Sequence, residues 1–265
     1  MKGTLMGNEL VVEQSDAIAT LTINRPKVRN AISFVMYQRI PHLIAQIEAD
    51  SQSKVLVIRG NGDRAFAAGA DISEFKTVRA SGAGARAYNA AVAAAEHAIC
   101  DLSKPTIAMV HGFCIGGGCG LALACDIRLA DTVSKFGITP ARLGLVYSLE
   151  STKRLIDVVG PAEARYILFS GRQVDAERAL RTGLVNELHA PEELATATYR
   201  LASEICDRAP ISLLRTKEIV QLILQGQSED DAHTTELRNG SFDSKDYAEG
   251  VKAFQEKRAP KFTGF

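Results

Sequence analysis

The first sixty residues change their hydrophobic pattern three times. "ELVVEQSDAIATLTINRP" holds two aliphatic and β-branched stretches on either side of Ser15-Asp16, which predicts two strands joined by a turn and ended by Pro26. In "SFVMYQRIPHLIAQIEAD" the apolar positions Phe34, Met36, Ile40, Leu43, Ile44 and Ile47 keep helical spacing, and Ser33 stands ready to cap the first turn. Pro41 lacks an amide proton and crowds the preceding turn, so a break or kink is expected there. "KVLVIRG" is short and almost continuously apolar, the pattern of a strand buried on both faces.

Further on, "NGDRAFAAGADISEF" predicts a loop that enters a helix near Asp71, and the small, Gly-rich, basic "TVRASGAGARA" predicts a mobile segment. "YNAAVAAAEHAICDLS" is helical by composition, "KPTIAMVHG" reads as a second buried strand, "GGCGLALAC" as a helix, and "DIRLADTVSKFG" as two short strands. Strand, glycine loop and helix thus repeat, which predicts an α/β core. From about Ser148 the pattern becomes helical through "SLESTKRLIDVVG", "PAEARYILFSG", "DAERALRTG", "PEELATATYRLASEICDRA", "ISLLRTKEIVQLILQG" and the C-terminal "SKDYAEGVKAFQEKRAPKFTGF". Only "GLVNELH" interrupts it as a strand. The C-terminal third is thus mostly helical, and no low-complexity linker separates the halves.

Composition narrows the function classes. The 265 residues are 46% hydrophobic and 23% charged, an ordinary globular balance for one large domain with or without an appendage. Lys+Arg equals Asp+Glu, so no overall field attracts nucleic acid or an anionic membrane, and neither partner is expected. No apolar run has the length of a membrane span, and "MKGTLMGNELVVEQSD" lacks the apolar centre of a secretory signal. The five cysteines are odd in number and form no C-x-x-C pair, which argues against a zinc site or disulfide framework and for a cytoplasmic protein. His42, His97, His111, His189 and His233 show no metal-ligand spacing, so no metal is expected; His111 reads as structural.

Two loops of one design carry the candidate chemistry: "FAAGAD" and "CIGGGCG". Each follows an apolar strand and opens into a helix, whose N-terminus offers unpaired N–H groups and the positive end of a dipole. Two such ends converging would hold a negative oxygen between backbone donors. Tight packing alone would also account for either loop taken singly. Neither matches the spacing of a dinucleotide-binding or P-loop motif.

"NRPKVRNAIS", "FAAGADISEF", "KPTIAMVHGFCIGGGCGLALACDIRLAD", "FGITPARLGLVYS" and "YAEGVKAFQEKRAPKF" occur in the order found in the crotonase superfamily of enoyl-CoA hydratases and isomerases, which the chain resembles over nearly its whole length. The resemblance implies a ClpP-like α/β spiral core of ββα units over residues 1–195 with a C-terminal helical trimerisation region over residues 196–265, assembled as a homotrimer or hexamer. It implies an acyl-CoA substrate and no separate cofactor, since CoA is part of the substrate. The amides of Ala70 and Gly117 would form the oxyanion hole for a thioester enolate, with the thioester oxygen and pantetheine arm against the glycine run. Lys27, Arg29 and Ala31 would meet the CoA moiety together with Ala68, Gly69, Asp71 and Ile72, and Lys257 would reach a phosphate, in some members across a subunit interface. Asp71 would also cap the helix that follows it.

The chain departs from this pattern where hydration needs it most. The hydratases carry two glutamates; Gly120 and Pro140 occupy those positions here, and neither can move a proton. "TPARLGLVY" resembles the methylmalonyl-CoA decarboxylase-like subgroup, in which the tyrosine, here Tyr147, lies near the acyl group. Members of that subgroup often carry His at the position of Ala70 and a carboxylate at that of Gly120, which this chain does not. The favoured expectation is decarboxylation or another non-hydratase lyase or isomerase reaction. The alternatives are hydration or isomerisation with another acid/base group, and a catalytically lapsed CoA-binding scaffold. Glu150 is a nearby carboxylate, read as a helix N-terminal residue favoured by the dipole.

Overall fold

The computed structural model of the chain describes residues 9–264. The first half of the N-terminal stretch read for a secretory signal, residues 1–8, lies outside the described residues. β1 (Leu10–Ser15) and β2 (Ile18–Ile23) pair antiparallel across the expected turn. α1 (Phe34–Ala49) starts at Ser33, whose side chain accepts the Met36 amide at 3.3 Å. α1 runs on through Pro41, where a break was expected. Its buried face, Met36, Tyr37 and Ile40 before the proline and Ile44 and Ile47 after it, packs as one stripe, and that packing outweighs the lost hydrogen bond.

The chain continues through β3 (Val55–Gly60), β4 (Ala65–Ala67), the single turn α2 (Phe75–Val78), α3 (Gly82–Asp101), β5 (Thr106–Val110), β6 (Phe113–Ile115) and α4 (Gly117–Ala124). β7 (Ile127–Asp131) and β8 (Lys135–Gly137) follow, then α5 (Leu149–Ser170), β9 (Val174–Asp175), α6 (Ala176–Arg181), β10 (Glu187–His189), α7 (Leu194–Cys206), α8 (Pro210–Leu224), α9 (Ala232–Asn239) and α10 (Lys245–Glu256). The segment expected to be a mobile loop is partly helical: residues 82–87 form the first turns of α3, with Ser81 accepting the Gly84 amide at 3.1 Å. α5 is interrupted at Gly160 (φ 76°), followed by Pro161, at the boundary read between two helices.

One sheet has the order β1-β2-β3-β5-β7-β10 and is parallel apart from the β1–β2 pair. The strand pattern decides its two faces. Val55, Val57, Ile107, Met109 and Leu129 alternate onto the face covered by α7 through Leu194 and Ala202. Leu56, Ile58, Ala108, Val110 and Ala130 point the other way into the main core, with α1, α3 and α4. The helical region read from residue 196 thus begins inside a helix that covers the sheet. The second sheet, β4-β6-β8-β9, is parallel over its first three strands. Among the described residues no helix is long and apolar enough to cross a membrane.

Candidate active site between two glycine loops

β4 and β6 are parallel neighbours, with Ala65 opposite Phe113 and Ala67 opposite Cys114. Their C-terminal ends therefore release "FAAGAD" and "CIGGGCG" side by side. Gly69 (φ 101°) and Gly116 (φ 54°) both adopt left-handed backbone, and a Cβ on Gly116 would lie 3.8 Å from the Gly69 Cα. Glycine is needed at both for conformation and for close approach.

The Ala70 amide is oriented by its neighbours. The Ile32 amide donates to the Gly69 carbonyl at 2.8 Å, and the Asp71 amide to the Ile32 carbonyl at 2.9 Å. Ala70 sits between those bonds, so in this extended backbone its own N–H faces the opposite way. Gly117 opens α4, where an amide has no acceptor within the helix. Among the described residues neither amide finds an acceptor.

The glycine run has an internal cause beyond ligand access. A Cβ on Gly117 would collide with the Tyr37 hydroxyl. A Cβ on Gly120 would overlap Glu96 Oε1 and lie 3.2 Å from the Tyr147 hydroxyl. The side-chain space at these two positions is thus filled by the protein itself, so tight packing requires glycine there whatever lies against the backbone.

Glu96, which the sequence did not single out, is 2% exposed. Its Oε2 accepts the Ser151 hydroxyl at 2.8 Å and Arg154 Nη1 at 2.7 Å, both from the first turns of α5. Burial raises its pKa above the ordinary carboxyl value, against the pull of Ser151 and Arg154. The hydroxyls of Tyr37, Tyr88 and Tyr147 and the Nε of Arg79 are also buried; among the described residues the Tyr37 hydroxyl has no partner, whereas Tyr88 has Arg79 and Tyr147 has Ser151 beside it. Burial, followed by the Glu96 charge, lifts the Tyr147 phenol well above its usual range. Tyr88 is pushed up to about 12 by burial, against the Arg79 guanidinium that stacks 3.9 Å from its ring centre. Phe34, Tyr37 and Phe75 surround Tyr88 with ring centres 5.7, 5.7 and 6.1 Å away, giving an aromatic wall. The signal for Glu96 lies in α3: Tyr88, Ala95 and Ile99 are its buried face, and position 96 falls on that face. A charge on an apolar stripe needs a partner or a purpose.

The residues read as CoA contacts lie mostly together. Lys27 sits in a short 3-10 turn (Pro26–Val28), followed by left-handed Arg29 and Asn30. The Arg29 carbonyl accepts the Ala68 amide at 3.0 Å, and Arg25 Nη1 donates to both the Ala31 carbonyl and Asp71 Oδ2 at 2.8 Å. Residues 27–31 and 68–72 are thereby stitched into one edge, with Ile72 64% exposed. Asp71 caps the turn Ile72–Glu74 through the Ser73 amide at 3.1 Å; partial burial opposes its ionisation, but Ser73 and Arg25 hold its pKa below the usual range. Lys257 closes α10 with φ 53°, and among the described residues its segment makes no hydrogen bond to either loop. Pro140 starts a 3-10 turn (Pro140–Leu143) and places no carboxylate at the site. Glu150 pairs with His97 at 2.9 Å, half-exposed. His111 Nδ1 meets Asp131 Oδ2 at 3.0 Å, a buried structural contact.

Residues 13–264 match the enoyl-CoA hydratase/isomerase family. The chain is 33% identical over 259 residues to a short-chain-enoyl-CoA hydratase of Clostridium acetobutylicum, covering 97% of this chain and 98% of that one. It is 33% identical to a crotonyl-CoA hydratase of Syntrophomonas wolfei over 96% of this chain and 97% of that one. The crystal structure of an enoyl-CoA hydratase/isomerase family protein from Hyphomonas neptunium superimposes with a TM-score of 0.95 at 37% identity, covering 99% of this chain and all of that one. The chain belongs to the enoyl-CoA hydratase/isomerase family and has the crotonase fold.

Proposed function

We propose that this enzyme binds an acyl-CoA thioester, holds the enolate oxygen between the amides of Ala70 and Gly117, and hydrates or isomerises an enoyl group with an acid/base group other than residues 120 and 140. The observation that carries the reading is the pair of unclaimed amides at the adjacent ends of β4 and β6. One such donor contributes about 3–4 kcal/mol to the transition state. Lys27, Arg29 and Ala31 with Ala68, Gly69, Asp71 and Ile72 form the CoA edge, and Lys257 reaches a phosphate from a neighbouring copy. No cofactor beyond the CoA of the substrate takes part. A trimer or hexamer of cytoplasmic protein is the working form, supported by exposed apolar residues such as Phe169, Val146 and Phe254, which light scattering would test.

The names of the two relatives move weight from decarboxylation to hydration, since both are called hydratases. Decarboxylation remains the second reading because the buried Tyr147 hydroxyl stands beside Gly120 and, with its pKa raised by burial, is a proton donor rather than a base. Incubation in heavy water with crotonyl-CoA, a 3-enoyl-CoA and methylmalonyl-CoA separates the readings by mass. Water added to crotonyl-CoA or a shifted double bond supports the proposal. Loss of carbon dioxide from methylmalonyl-CoA, abolished by Tyr147→Phe, supports the second reading. CoA binding without any reaction refutes both and leaves a binding protein.

A further inference from the structure

We infer that Glu96, reaching the glycine helix from α3, supplies the carboxyl that position 120 lacks and exchanges a proton with the acyl chain of the bound thioester; this rests on the enolate reading above. Three observations converge on it. Position 120 lies on the same face of α4 as Gly117, one turn on, so a group beside it faces the acyl chain of a thioester whose oxygen sits at the Gly117 amide. The space a Cβ at 120 would take is filled by Glu96 Oε1. The two oxygens of Glu96 are also unequal: Oε2 is held by Ser151 and Arg154, whereas Oε1 points to Gly120.

The surroundings separate this carboxyl from an ordinary buried ion pair. The Tyr37 hydroxyl is buried beside it and, among the described residues, lacks a partner, although buried polar atoms nearly always find one. A buried group left open in this way calls for a partner that a bound ligand or water would supply. Of the two other buried carboxyls among the described residues, Asp131 has both oxygens engaged, by His111, Ser134 and the Gly112 amide, and Asp246, away from the site in α10, has Oδ1 engaged by the Thr263 and Gly264 amides. Burial raises the Glu96 pKa, moving it toward the range where a carboxyl both takes and returns protons. Arg154 and Glu150 from α5, His97 on its own helix, Tyr37 from α1 and Tyr147 are the charged and titratable groups that face it.

In the step, the Cα–H bond of the thioester breaks and the proton passes to Glu96 Oε1. The bonding pair moves into the enolate, with negative charge on the oxygen at the Ala70 and Gly117 amides. Return of a proton from Glu96 to carbon closes the cycle, so no oxidant, reductant or further reactant is needed.

The test is deuterium uptake at Cα of butyryl-CoA in heavy water, read by mass spectrometry, with CoA affinity and melting temperature measured alongside. E96Q keeps the size of the side chain but carries no titratable proton. It is expected to slow exchange on the order of 10²-fold or more with CoA affinity unchanged, and to remove the rise of the wild-type rate with pH as the carboxyl ionises. E96Q exchanging within about threefold of wild type, a difference too small for a lost proton-transfer group, overturns the assignment and leaves the enolate reading standing. Wild-type protein that binds CoA but neither exchanges nor converts any thioester overturns the enolate reading, and Glu96 with it. Should E96Q not fold, E96A/G120E is compared with E96A/G120Q: faster exchange with the carboxyl supports the assignment, and equal rates overturn it.

Discussion

Gly120→Ala tests the placement of Glu96 independently of any reaction. In an unobstructed helix, Ala in place of Gly is worth about 1 kcal/mol of stability. Here the new methyl overlaps Glu96 Oε1 and meets the Tyr147 hydroxyl at 3.2 Å. Forcing a methyl into packed surroundings costs about 1–3 kcal/mol. Expelling the carboxylate instead would leave the part-buried Arg154 unpaired, and breaking a buried pair costs about 3–5 kcal/mol. The overlap with Glu96 Oε1 takes the upper end of the packing range, about 3 kcal/mol, so the balance is a loss of about 2 kcal/mol for G120A in the wild-type background. With Glu96→Ala already made, the obstruction is gone and the same change should gain about 1 kcal/mol, a coupling of about 3 kcal/mol. In the E96Q background the amide still fills the space, so G120A should again destabilise. Urea titrations of the cycle at fixed protomer concentration read these differences as midpoint shifts with a constant slope. A neutral or stabilising G120A in wild-type protein would show that Glu96 does not occupy this space, and both the packing account and the proton-transfer assignment would fall.

Asn30 ties the CoA edge to the strand before the first glycine loop. Its side chain accepts the Arg25 amide and donates to the Asn61 and Ala65 carbonyls. Asn30→Ala should cost about 3–5 kcal/mol, from three hydrogen bonds and the left-handed backbone; Asn30→Gly should cost about 1 kcal/mol less because it keeps that backbone at no strain. Equal urea midpoints for the two would refute the backbone contribution. Glu249 is held down to about 2 by Arg258 and the Lys261 amide. A carboxyl depressed on folding stabilises above its unfolded value and loses that contribution as pH falls through its folded value. Exchange protection of the Lys261 amide should therefore fade from about pH 4.5 down toward pH 2, and E249Q should abolish the dependence; protection independent of pH in wild type would refute it.

Much of the fold was legible because single elements carry strong local signals. "VLVI" in β3 serves two faces of one sheet, Val55 and Val57 toward α7 and Leu56 and Ile58 toward the core, so its apolar run reads directly as a buried strand. Ser33, Asp71 and the Gly160-Pro161 pair are visible in sequence because capping and helix breaking act within a few residues. β4, β6 and β9 were hidden because two or three residues have no period of their own. α9 is mostly polar and held by a capping box of Asp231 and Thr234. Of the site, the two loops and Tyr147 were legible as motifs. Glu96 and Tyr37 were not, because their meaning depends on α3 and α1 closing over α4, contacts formed across more than twenty residues in one case and about eighty in the other.

The two unclaimed amides have a genetic consequence. A donor that belongs to the main chain is deleted outright only by proline, although at Gly117 any side chain must also displace the Tyr37 hydroxyl. The proton-transfer group is a side chain and disappears with one codon. Drift should therefore erase and re-create the second kind of group far more often than the first. On the proposed reading, inheritance is expected to keep the cradle at Ala70 and Gly117 and to leave free the position from which a carboxyl reaches it.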